Sequence, residues 1–319
     1  MAEYFLFLAK VVTLLLAVVT ALAVSVRLMR RQRPRYDGRL EIKHVNRRYE
    51  RLADAVQSAV LSRRDARRAH AARKKSLKVR DAATPRPRLF VVDFHGDIRG
   101  TAVASLREEI TAILLSAREG DSVLVRLESG GGQVHAYGLA ASQLTRLKSA
   151  GVRLTVAVDK VAASGGYLMA CVADRIVAAP FAIVGSIGVV AAFPNFNRAL
   201  KRNDIDFEQF TAGRYKRTVT MFAENSDADR DKFQSELEDV HHLFQEFVKT
   251  NRPSVDIDAV ATGEHWYGTR ALTLGLVDEL RTSDDLLLDA RERFEILELI
   301  QHRERQMASW FREFLEQRV

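Results

Sequence analysis

The sequence predicts an α/β domain with a largely parallel sheet, preceded by one membrane-spanning helix. Three observations lead there. Short β-branched runs alternate with helix-like stretches through the middle of the chain, an apolar run lies near its start, and Thr84-Pro85-Arg86-Pro87 separates the two regions. With 319 residues, 47% of them hydrophobic and 28% charged, the chain has material for a sizeable folded core. Its single cysteine, Cys171, excludes an intrachain disulfide framework, a Cys-based zinc site and a thiol redox pair.

Taken in order, residues 4–26 are apolar except for Lys10, two threonines and Ser25. At about 1.5 Å per residue, a helix of that length just spans a hydrocarbon core of about 30 Å. Ala21-Leu22-Ala23 resembles a signal-peptide cleavage site, but the charge order is reversed. Glu3 is the only charged side chain among the first nine residues, whereas Arg27, Arg30, Arg31, Arg33 and Arg35 crowd the far side. A retained anchor over residues 1–28 is the expectation. The positive-inside rule then places the chain after Arg27 on the cytoplasmic face; Lys10 weakens the contrast, and a periplasmic domain is the alternative.

Residues 29–86 read as a basic juxtamembrane helix or linker. Between Arg27 and Arg80 there are 19 Lys and Arg against 5 Asp and Glu, so the rest of the chain is net acidic although the total is +8. Because this surplus comes directly after the apolar run, membrane headgroups rather than nucleic acid are the expected partner.

The folded body is expected over residues 87–285. Strands are predicted at 89–94, 122–127, 152–158, 175–179 and 187–190, with helices at 103–117 and 134–147. Ser226 with Asp229 three positions later signals the N-cap of a long helix reaching about Lys249 and ended by Arg252-Pro253. Residues 286–319 are expected to form an amphipathic helix. There Met307, Trp310, Phe311, Phe314 and Leu315 share one face, suited to an oligomer contact.

The chemistry-bearing residues sit at turns. Ala162-Ala163-Ser164-Gly165-Gly166 leaves a predicted strand and opens a helix. A serine there is exposed beside unpaired backbone N–H groups that suit a developing oxyanion, although the same position also suits a plain N-cap. Glu128-Ser129-Gly130-Gly131-Gly132 lies just past another strand, and its three glycines free the backbone either to aim donors or to make an ordinary turn. It lacks the order of a nucleotide loop. None of the eight histidines falls in a G-x-S-x-G context, so a Ser-His-Asp triad is not supported. Lys216, in Gly213-Arg214-Tyr215-Lys216-Arg217, is a candidate base if burial leaves its amine neutral; otherwise it is a solvated surface lysine. Cys171 reads as a small core residue.

Together, Ser129 to Gly132, Ala162 to Gly166, Gly185-Ser186-Ile187-Gly188-Val189, Gly213 to Lys216 and Gly275-Leu276-Val277-Asp278 resemble the signal peptide peptidase A family of membrane serine proteases, most closely its SohB branch. The resemblance covers about residues 90–280. It implies a ClpP/crotonase-like spiral of ββα units in a bacterial inner-membrane protein. Ser164 would be the nucleophile, Lys216 the general base and Ser186 the hydroxyl that orients the lysine, with Gly165 and Gly131 or Gly132 shaping the oxyanion region. It implies no metal or cofactor, a peptide or polypeptide substrate such as signal peptides, and a homo-oligomer. Many members have a proline where Gly130 stands, so which loop N–H faces the substrate is open. Two other readings remain: an acyl-CoA enzyme of the crotonase class, whose glycine turns also hold an oxyanion, and a non-catalytic membrane scaffold.

Overall fold

The computed structural model describes residues 39–62 and 86–302, with scattered positions before 39 and between 64 and 72. Contacts divide the chain into Glu41–Ile300, which carries the fold, and a second unit, Met1–Leu40 with Gln301–Val319, which lies mostly outside the described residues.

Ten strands and nine helices are numbered in chain order among the described residues. They are β1 (Leu40–His44), α1 (Val45–Val60), β2 (Arg88–His95), α2 (Val103–Ser116), β3 (Ser122–Glu128), α3 (Val134–Ser149), β4 (Arg153–Val158), β5 (Val161–Ala163), α4 (Gly165–Ala170), β6 (Arg175–Ala178), β7 (Ile183–Gly185), α5 (Asn197–Arg202), α6 (Asp227–Asn251), α7 (Ile257–Val260), β8 (His265–Tyr267), α8 (Gly268–Thr273), β9 (Glu279–Leu280), α9 (Ser283–Ala290) and β10 (Glu295–Gln301). The architecture is α/β. Seven strands form one sheet in the order β1-β10-β2-β3-β4-β6-β9, and β5-β7-β8 form a second. From β10 to β9 every neighbouring pair in the large sheet is parallel, whereas β7 and β8 run antiparallel.

Parallel strands covered on both faces must be apolar on both, and β2 and β3 meet that demand: Val91, Val92, Val123 and Val125 are fully buried. On one face, Leu89, Val91, Leu124, Ala157, Val177 and Ile296 pack with Val45 and with Leu287 and Ala290 of α9. Farther along that face Arg126 pairs with Asp93 at 2.5 Å and with Glu298, satisfying charges that the sheet half-buries. Because the strands point the same way, their carboxyl ends gather at one edge. Such an edge is where open α/β sheets present their ligand crevices.

Three expectations are corrected. The folded body begins at β1, not after Pro87. Asn46 donates to Arg291 O and Phe294 O at 3.0 and 3.1 Å and accepts from Ile296 N at 2.8 Å, tying the start of the basic region to the last strand. The strand expected at 187–190 lies instead at Ile183–Gly185, whose partners β5 and β8 complete its ladder. Within 286–319, helix α9 ends at Ala290, and Glu295–Gln301 is a strand beside β2, where Ile296, Leu297 and Leu299 are buried. The aromatic face from Met307 to Leu315 lies outside the described residues, as does most of the expected anchor at 4–26. Among the described residues no helix is long and apolar enough to cross a membrane.

Candidate active site

β5 and β7 are three-residue parallel strands in the register Ala163 opposite Gly185. Each leads into a serine, so Ser164 and Ser186 stand side by side where the two strands end. Both have positive φ, 51° and 53°, a region that non-glycine residues seldom occupy and that costs roughly 1–3 kcal/mol each. The surrounding hydrogen bonds hold them there. Ser164 N donates to Gly185 O at 2.8 Å, Leu168 N donates to Ser164 O at 3.0 Å, and Ser186 N donates to Glu264 O at 2.6 Å.

Ser164 is the N-cap of α4, and its side chain makes no capping bond. A serine acting only as a cap would give its oxygen to the second or third helical N–H. Here the hydroxyl is left unused, half-buried and without a partner among the described residues.

The glycine loop closes on it from β3. Ser129 N donates to Val161 O at 2.9 Å and Ala163 N to Ser129 O at 3.0 Å, which draws the loop against β5. Gly131, φ +91°, is packed so closely that a Cβ on it would lie 2.7 Å from Ser164 Cβ and 2.8 Å from Gly165 N. A Cβ on Gly132 would lie 2.2 Å from Ile98 O. Both positions therefore require glycine, whereas a side chain at Gly130 would meet nothing within 4 Å. The N–H of Gly131 donates to Ser129 Oγ at 3.1 Å; those of Gly132 and Gly165 have no partner among the described residues. Ser164, Ser186, Gly131, Gly132 and Gly165 are thus gathered at one edge of the fold.

Lys216 is not gathered with them in the single chain. It is exposed, on a turn closed by its own N–H to Gly213 O at 3.1 Å, and its amine shares no hydrogen bond with Ser164 or Ser186. It lines an open cavity of about 830 Å³ with Phe193, Phe207, Phe210, Met221 and Phe222. Phe196 and Phe207 pack on Phe222 with ring centroids 6.0 and 5.7 Å apart.

Sequence reasoning passed over two residues of the site. Tyr137, fully buried in α3, reaches Ser129 Oγ at 2.6 Å and donates to Asp97 O at 2.9 Å. Its position in the first turn of the helix after the glycine loop was the available signal. His241 of α6 reaches Ile187 O with Nε2 at 3.2 Å, bracing the turn after Ser186; nothing local in the sequence points to it. Cys171, which closes α4, is fully buried, and burial pushes its thiol up to about 12, as suits a core residue.

Comparison with known proteins identifies the family. A family described as peptidase family S49 N-terminal matches residues 1–144, and peptidase family S49 matches residues 146–296. The protein named probable protease SohB of Haemophilus influenzae is 46% identical over 307 residues, covering 92% of this chain and 87% of that one. The protein of the same name from Buchnera aphidicola subsp. Schlechtendalia chinensis is 46% identical over 300 residues, covering 90% and 98%. Among solved structures, the membrane-bound stomatin-specific protease 1510-N in complex with a substrate peptide is 12% identical, covers 72% of this chain and 99% of that one, and has a TM-score of 0.45. On the strength of the two family matches and of relatives aligned over nearly its whole length, the chain belongs to peptidase family S49, in its SohB branch, and is a serine-type peptidase.

Proposed function

We propose that the protein is a membrane-anchored endopeptidase that hydrolyses signal peptides or other membrane-associated polypeptides, with Ser164 as nucleophile and Lys216 as general base. The observation that carries this reading is the free Ser164 hydroxyl, held at positive φ at the start of α4 and flanked by Gly131 and by the orphan N–H of Gly165. The neutral Lys216 amine takes the Ser164 proton as the oxygen attacks the peptide carbonyl carbon. The Gly165 N–H and the glycine loop receive the oxyanion. Lys216 then returns the proton to the leaving amine, and water hydrolyses the acyl-enzyme. Ser186, which follows Gly185 as Ser164 follows its strand partner Ala163, orients the lysine.

On this reading the aromatic segment that carries the exposed Lys216 closes over Ser164, on substrate binding or on assembly of a homo-oligomer. The apolar cavity beside Lys216 suits a substrate with large apolar side chains, the composition of a signal-peptide core. Residues 1–28 and the basic stretch after them supply the anchor in the inner membrane, with the catalytic unit on the cytoplasmic face; a reporter fused after Val319 that scored as periplasmic would overturn that orientation. Short strands backed by helices in two sheets support a spiral of ββα units as the finer description of the fold.

The test is labelling with a fluorophosphonate probe. Modification at Ser164 that disappears in Lys216→Ala is the expected result. A folded but unlabelled protein would favour the acyl-CoA enzyme or the scaffold instead.

A further inference from the structure

Ser129, Tyr137 and Asp97 form a hydrogen-bond chain whose direction chemistry fixes. Asp97 O is a carbonyl oxygen and only accepts, so Tyr137 Oη donates to it at 2.9 Å. A phenol has one proton, and the 2.6 Å bond between Tyr137 Oη and Ser129 Oγ therefore uses the proton of Ser129. What Ser129 Oγ has left is acceptor capacity, and Gly131 N–H fills it at 3.1 Å. The order runs from the Gly131 amide through Ser129 and Tyr137 to the Asp97 carbonyl. Ser129 is 2% exposed and Tyr137 0%, so water does not compete for these bonds. Burial pushes the Tyr137 phenol above its ordinary value, which keeps the donating proton in place.

The same side chain also touches the nucleophile turn. A Cβ on Gly165 would lie 2.5 Å from Tyr137 Cγ, so the ring packs directly on the backbone that opens α4. One on Gly96 would lie 2.3 Å from the Tyr137 oxygen. The far end of the chain is braced as well: Asp97 O also accepts from Gly100 N at 2.9 Å, and the Asp97 carboxylate accepts from Thr101 N at 2.7 Å. The Tyr137 hydroxyl thus bonds to the glycine loop while its ring packs on the Ser164 turn.

We propose that Ser129 and Tyr137 are positioning residues of the peptidase: their one-way chain orients the Gly131 peptide against Ser164 and keeps the two halves of the oxyanion region in register. This rests on Ser164 being the nucleophile. Neither residue touches the reacting atoms, so their effect falls on the transition state rather than on substrate affinity.

The experiment compares Tyr137→Phe, Ser129→Ala and the double variant in the full-length protein, with Ser164→Ala as reference, on a fluorogenic leucine-rich peptide. The expected result is a kcat lower by about 10- to 100-fold in each single variant, with KM within about two-fold. The double variant should be scarcely worse than either single, because one chain is broken only once. Hydrogen exchange of the peptide containing Gly131, followed by mass spectrometry, should quicken in both single variants. Unchanged kcat at 25 °C with a lower melting temperature would reduce the chain to a structural role and overturn the proposal, as would unchanged exchange at Gly131. Full activity of Ser164→Ala would overturn the nucleophile reading itself, and this inference with it. An inactive Ser164→Ala beside a fully active Tyr137→Phe would sink this inference alone. Tyr137→Phe keeps the ring that fills the core, and Ser129→Ala provides a second route should it fail to fold.

Discussion

At Gly130 and Gly131, adjacent glycines answer to different physics. Gly131 has φ +91° and backbone atoms of Gly165 and Ala163 within 2.9 Å of any added Cβ. Gly131→Ala is therefore expected to destabilise the protein by about 1–3 kcal/mol and to abolish measurable turnover, since backbone cannot yield as a flexible side chain does. Gly130→Ala meets open space, and its stability should stay within about 0.5 kcal/mol of the parent. Thermal melts and peptide hydrolysis on the two variants check the contrast; equal damage from both would contradict the loop geometry. Cys171 provides a second residue-scale expectation. With its thiol buried and pushed up to about 12, iodoacetamide at pH 8 should leave activity intact and modify the protein only once it is unfolded.

At the scale of elements, the two ends of α6 contrast local with distant control. Its start is a capping box, in which Ser226 Oγ accepts from Asp229 N at 3.2 Å and the Asp229 carboxylate from Ser226 N at 3.0 Å. Its end is Arg252, 8% exposed, which donates to both Asp278 oxygens at 2.9 and 2.6 Å and to Gly275 O at 2.9 Å. Tyr167 of α4 donates to the neighbouring Leu276 O at 3.0 Å, so this clamp also backs the nucleophile helix. Burial works to raise the Asp278 carboxyl, but the Arg252 bonds and Ile176 N–H outweigh it and hold the group below the usual carboxylate range. A lowered native value means the stabilisation is complete above the unfolded value of about 4 and is lost as pH falls through the native one. Urea midpoints between pH 6 and 2 should show this loss, and Asp278→Asn should flatten it. Asp278→Ala, which leaves a buried guanidinium unpaired, should cost on the order of 3 kcal/mol at pH 7.

At the scale of the molecule, Ser164 lies between β5 and α4, next to buried backbone, and Lys216 on an exposed segment. Val190 and Phe210 there are 87% and 89% exposed, an apolar exposure of the kind that interaction surfaces show. If a second subunit covers that segment, mixing Ser164→Ala with Lys216→Ala protein should restore part of the activity that each lacks. Recovery of none would mean that each chain closes its own site. Size-exclusion chromatography with light scattering on the mixture reads the assembly in parallel.

Much of this was legible in the residues because it is set locally. The β-branched runs became β2, β3, β4 and β6, the Ser226 cap opened α6, and the glycine turns fell at the carboxyl ends of strands. What failed depended on distant partners. The basic region resembles a linker until Asn46 meets Arg291 and Phe294, more than 240 positions away. The run at 295–301 resembles the approach to a helix until β2 offers it a ladder. Composition, periodicity and turn chemistry by themselves determined the α/β class, the long capped helix and the placing of the glycine loop and Ser164 at turns; the family resemblance is what singled those turns out. Only the tertiary structure decided where the folded body begins, that Ser164 and Ser186 follow the ends of two paired strands, and that Tyr137 joins loop to turn. Side-chain spacing along one segment encodes which face it buries, but not which remote backbone groups will complete its hydrogen bonds.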